Sequence, residues 1–79
     1  MFNVYNDHRT LHTRMPSAAS IDEVRRLAEA SARLGYNALY RAFERTSESV
    51  TGERFTTAFS VLNGVVREHA AVTIPTAHW

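Results

Sequence analysis

Two histidines four residues apart, His8 and His12, with Asp7 beside the first, come nearest to a metal-binding pattern in this chain. On a helix that spacing would align two imidazoles on one face as ligands. Here they flank Asn6-Asp7-His8-Arg9, a run of residues that bond their own backbone and favour a turn, and no third ligand lies within reach in sequence. His69 and His78 could join them only through the fold. The reading is four ordinary surface histidines, with no metal and no cofactor. Nucleophilic catalysis has its raw materials in many serines and threonines and eight carboxylates. None stands in a recognisable setting such as G-x-S-x-G at a strand–helix elbow. There is also no HExxH, no CxxC and no Gly-rich phosphate loop. A chain of 79 residues leaves little room for a deep pocket, and the expectation is a protein without catalysis.

Binding chemistry is better represented. All nine basic residues are arginine, with no lysine at all. A GC-rich coding sequence accounts for that choice, and arginine forks also grip carboxylates and phosphates bidentately. The net charge of +1 is too small to argue for nucleic acid, which usually demands a basic face. Arg41, Arg45 and Arg54 are interspersed with Glu44, Glu48 and Glu53, so any patch they form is mixed in sign. A mixed charged rim around aromatic residues suits protein recognition better than a phosphate backbone. Trp79 follows a polar Thr76-Ala77-His78 stretch and reads either as a cap on the core or as an anchor for a partner. The candidate contact residues are therefore Tyr40, Arg41, Arg45, Arg54 and Trp79. Reversing the charge of Arg41 and Arg45 together is expected to abolish partner binding and leave the fold intact.

The element that must position these residues runs from Ser20 to Gly35. Ser20 and Glu23 form a capping box, and Asp22 and Glu23 complement the positive end of the helix dipole. Ile21, Val24, Leu27, Ala28, Ser31 and Leu34 share one face at steps of three and four. Arg25, Arg26, Glu29 and Arg33 lie on the other, as the i,i+4 pairs Asp22–Arg26, Arg25–Glu29 and Glu29–Arg33. Gly35 supplies the left-handed residue that ends such a helix. Before it, Phe2 and Val4 alternate with Asn3 and Tyr5 as a short strand, and Thr10–Met15 alternates loosely as a second, with a break at Pro16. After it, Leu39–Arg45 and Arg54–Leu62 read as strands joined by the polar loop Thr46–Glu53. In the second of these, Phe55, Thr57, Phe59 and Val61 share a face. Asn63-Gly64 is a strong hairpin signal, Val65–His69 turns back, and Ala71–Ile74 makes a last strand ended by Pro75. The result is a single α+β domain over residues 1–79: β-β-α-β-β-β, an antiparallel sheet with one helix packed on a face.

A second reading of residues 36–45 competes with this one. Tyr36, Leu39, Tyr40 and Phe43 also have helical spacing, and EVRRLAEASARLG–YNALYRAFER is similar to the paired helices of helix-turn-helix repressors. That resemblance covers about 25 residues. It implies a mainly α fold of three helices, with NALYRAFER as recognition helix and Asn37, Arg41 and Arg45 reading bases and phosphates. The motif normally places about three residues between the glycine and the recognition helix, and here there is almost nothing.

Without cysteine, neither disulfides nor thiolate–metal sites can staple so small a domain. Stability must come from the eight aromatic residues or from a second subunit, so a homodimer is a natural expectation. No apolar run is long enough to span a membrane, and MFNVYNDHR lacks the basic-then-apolar layout of a secretory signal, which favours the cytoplasm. The function expected is that of a small protein-interaction module acting on another protein or on a protein–nucleic acid complex. Phages and mobile elements encode inhibitors and regulators of host complexes of this kind, anti-CRISPR proteins among them. The alternative is a small helix-turn-helix transcriptional regulator that binds DNA directly.

Overall fold

The computed structural model describes residues 1–8, 11–45 and 52–69, with the backbone alone at 8, 11 and 12. The expected strand 71–74, Pro75, His78 and Trp79 lie outside the described residues, as do Arg9 and residues 46–51. Within them the order is β1 (Phe2–His8), β2 (Leu11–Ala18), α1 (Ile21–Arg33), β3 (Ala38–Arg45), β4 (Glu53–Leu62) and β5 (Val65–His69). The strands form one antiparallel sheet in the order β2-β1-β3-β4-β5. The α+β reading is the fold. The three-helix alternative is not: the proposed recognition helix NALYRAFER is, but for its asparagine, strand β3.

The helix forms where its caps place it. Ser20 Oγ accepts from the Glu23 N–H at 3.4 Å, and the Glu23 carboxylate accepts in return from the Ala19 N–H at 3.1 Å, one residue earlier than a standard capping box. At the other end Gly35 has φ +80°. Its N–H donates to Ala32 O (3.1 Å) and the Tyr36 N–H donates to Ser31 O (2.9 Å). These are the two bonds of a Schellman cap. Val24, Ala28 and Ser31 are buried against the sheet. Leu34 is not, because it is the cap residue itself and is left 70 % exposed. Of the expected ion pairs, Asp22–Arg26 forms at 2.9 Å. Arg25 instead reaches Asp22 (2.9 Å) and Glu68 of β5 (3.1 Å) with its guanidinium over the Phe59 ring, so it links helix to sheet.

Because β1 is antiparallel to both β2 and β3, those two strands run parallel, and α1 is the crossover of a split β-α-β unit around β1. Residues opposite one another across an antiparallel pair share a face. Val4, Ala42, Tyr40, Ala38, Phe59 and Val61 therefore point together at the helix and, with Val24 and Ala28, make the core. Burying a side chain the size of Phe59 contributes roughly 1.5–3 kcal/mol.

Both strands of the first hairpin are longer than expected. Asn6, Asp7 and His8 belong to β1, where they pair with β2 and, through Asp7, with Leu39 of β3. Pro16, Ser17 and Ala18 belong to β2. Proline is tolerated there because β2 is an edge, and because the register passes from Phe2↔Ala18 to Val4↔Met15, setting Pro16 and Ser17 of β2 against Asn3 alone of β1. A second irregularity lies between β3 and β4: Ala42 pairs with Thr57 but Phe43 with Phe55, so Thr56 is an extra residue. Thr57, Phe59 and Val61 face the helix as a set, and Phe55 is turned to the other side. The Asn63-Gly64 signal is confirmed, both residues having positive φ (51° and 81°) as a type I′ turn requires.

Gly35→Ala meets no atom within 4 Å of the added Cβ, so only the left-handed backbone is penalised. The variant should lose roughly 1–2 kcal/mol, read as a lowered urea midpoint with an unchanged denaturant slope.

Candidate functional site

The helix covers one face of the sheet. On the other, register brings Arg14, Tyr5, Arg41 and Ala58 into one row across β2, β1, β3 and β4, with Asn3, Phe43 and Phe55 in the next. Arg45 and Glu53 are opposite each other beyond these. Tyr5 meets Phe43 edge-on at 5.4 Å between centroids, and Phe43 meets Phe55 in the same way at 5.6 Å. Such pairs contribute about 0.5–1.5 kcal/mol each beyond the area they bury. The Arg41 guanidinium lies over two of the rings, 5.3 Å from Phe43 and 5.7 Å from Tyr5.

A polar frame holds this ladder. Asp7 is 3 % exposed, and its carboxylate is clamped by Arg41 through Nε and Nη2. Glu53 Oε1 accepts from the Tyr5 hydroxyl (2.6 Å) and from Asn3 Nδ2 (3.1 Å). Arg14 Nη2 donates to Asn3 Oδ1 at 3.4 Å. The bond to Glu53 raises the Tyr5 phenol above the ordinary tyrosine range, with burial and the nearby carboxylate charge adding to it. Tyr5, Arg41, Phe43 and Phe55 are half-buried and Arg14 and Arg45 exposed, whereas Leu39, Ala58 and Ser60, farther along the same face, are buried.

The candidate contact residues are thus divided. Arg41 and Arg45 share the helix-free face. Tyr40 is on the opposite side of β3, 5 % exposed under the helix, with its hydroxyl bonded to Ser31 Oγ. Arg54 lies opposite Glu44 on the helix side and is paired with it at 3.3 Å. Trp79 is outside the described residues. Sequence reasoning missed Tyr5, Phe43, Phe55, Asp7 and Glu53 as a group, because their meeting depends on strand order and on the Thr56 bulge. Among the described residues no group of three or more His, Cys, Asp or Glu is placed to hold a metal, and no helix is long and apolar enough to cross a membrane.

The Asp7–Arg41 pair corrects one expectation. Charge reversal at Arg41 is not neutral to the fold, because it would set a second carboxylate against a buried one. Breaking a fully buried pair costs about 3–5 kcal/mol. The Arg41 side chain keeps 29 % of its exposure, so Arg41→Glu should cost on the order of 2 kcal/mol, measured by chemical denaturation. The phenol gives a second test. A folded pKa above the unfolded one stabilises the protein fully below the unfolded value, and that stability is lost as pH rises through the folded pKa. Glu53→Gln should lower the Tyr5 midpoint, followed by the ring ¹³Cζ resonance, and remove that loss of stability above the ordinary tyrosine range.

No family model matches the sequence, and neither a curated protein nor a solved structure is significantly similar to it.

Proposed function

We propose that this chain is a non-catalytic protein-interaction module whose contact surface is the helix-free face around Arg14, Tyr5, Arg41, Phe43, Arg45 and Phe55. Its partner presents an acidic surface. The observation that carries this reading is the aromatic–arginine ladder itself: three rings and a guanidinium, prearranged on neighbouring strands and left half-exposed. Tyrosine and arginine dominate interface hot spots, and rigid side chains lose little entropy on binding.

Charge supports the choice of partner. Among the described residues Arg14, Arg41, Arg45 and Arg67 share this face with two carboxylates, Asp7 and Glu53. On the helix side Arg25, Arg26, Arg33 and Arg54 are outnumbered by Asp22, Glu23, Glu29, Glu44 and Glu68. Complementary potentials of this kind set orientation and association rate. Both carboxylates of the ladder face are engaged by neighbours, which favours recognition over acid–base chemistry. Nucleic acid is the less favoured partner, because Arg41 already lies over the rings on which bases would stack. A cytoplasmic regulator or inhibitor of a larger complex, of the kind that phages and mobile elements encode and that includes anti-CRISPR proteins, fits a module of this size.

The test compares three tagged proteins recovered from cells: the natural chain, Arg14→Glu/Arg45→Glu, and Arg26→Glu/Arg33→Glu as a helix-side control. A nuclease-resistant protein partner held by the first and third, and weakened about tenfold or more for the second, is the expected result. Equal recovery by all three would remove this face from consideration. Nuclease-sensitive recovery with a steep salt dependence would make nucleic acid the partner, and recovery of the chain itself alone would make it a homodimer.

A further inference from the structure

A second surface lies at the far end of the helix and owes nothing to the ladder. The Schellman cap folds Tyr36 back over the last turn of α1, where an apolar contact usually closes the motif. Here the facing position is Ser31, a small polar residue whose hydroxyl is committed to Tyr40. That position offers no apolar partner. Tyr36 is left 64 % exposed, and beside it opens a cleft of about 560 Å³ lined by Asn6, Ser31, Gly35, Tyr36, Ala38 and Tyr40, with Asn37 at its edge. That volume is within the range of small-molecule sites.

The lining defines the ligand. Among the described residues no charged side chain contributes to it, so an ion entering the cleft would lose hydration without a counter-charge from them. The carbonyls of Ser31 and Ala32, which would otherwise draw a cation to the helix end, accept from Tyr36 and Gly35. Tyr36 offers an aromatic face and Tyr40 a second ring in the wall. Asn6, another wall residue, has its Oδ1 buried with no hydrogen-bond partner among the described residues. The rim is held in place from the β4–β5 turn, where the Asn63 N–H donates to Asn37 Oδ1 at 3.0 Å.

We infer that this cleft binds an uncharged, planar aromatic molecule, with Tyr36 stacking on the ring and the Asn6 side chain in the wall. The probe is benzamide, titrated into ¹⁵N-labelled full-length protein, with benzoate and benzylamine as charged congeners. Saturable shifts confined to the amides of Gly35, Tyr36, Asn37 and Ala38 are expected, with both congeners weaker. Tyr36→Ala, at a site too exposed to affect folding greatly, should weaken benzamide about two- to tenfold, the equivalent of one aromatic contact. Shifts that never saturate, that centre on Phe43 and Phe55, or that survive Tyr36→Ala unchanged would overturn the assignment. So would equal binding of benzoate or benzylamine. Because the cleft and the ladder are on opposite sides of the sheet, Arg14→Glu/Arg45→Glu should leave the titration unaltered.

Discussion

The strand that the rest of the molecule depends on is β3, whose first half, Ala38–Tyr40, is buried from both sides at once. Ala38 and Tyr40 face the helix and Leu39 faces away, and all three are buried. Its neighbours are β1 on one edge and β4 on the other, so its backbone bonds are satisfied entirely within the sheet. Tyr40 illustrates the constraint. Its ring fills the space under α1, and its hydroxyl, which could not be left unpaired there without cost, is answered by Ser31. The serine that breaks the helix's apolar stripe is therefore the complement of a strand tyrosine.

That double burial also explains where the sequence was ambiguous. A half-buried strand alternates apolar and polar residues, whereas a strand covered on both faces reads as a nearly continuous apolar run; β3 passes from the second kind at Ala38–Tyr40 to the first from Arg41 onward, so NALYRAF has no single period. Elements whose signals are local were legible: the helix between Ser20 and Gly35, and the hairpin at Asn63-Gly64. The edges of the first hairpin were not, because Asp7 reads as a turn residue until Arg41, thirty-four positions away, supplies its counter-charge. Pro16 reads as a break until strand order makes it an edge.

The candidate site was legible only in part, and for a related reason. Arg41 and Arg45 share a face by simple alternation. Phe55 was assigned to the same face as Thr57 and Phe59, which strict alternation demands, and one extra residue at Thr56 reverses it. The ladder thus rests on an insertion that composition and periodicity do not reveal. The cleft is different, since Gly35 after the helix, Tyr36 next and Ser31 four residues before the glycine together describe a Schellman cap without its apolar clasp. That signal was present in the sequence.

The split arrangement around β1 has a consequence for how the chain reaches this structure. The β1–β2, β3–β4 and β4–β5 pairs join strands consecutive in sequence, and β-hairpins form in about 1–10 μs. The seam between β1 and β3 joins residues as far apart as Phe2 and Glu44, with a strand and a helix between them. Closing it must await the docking of that crossover, and the loop entropy is spent before the pairing returns anything. The order of assembly is therefore built into the topology: three local strand pairs and a capped helix first, and the central seam, which also joins Tyr5 and Asp7 to Arg41 and Phe43, last.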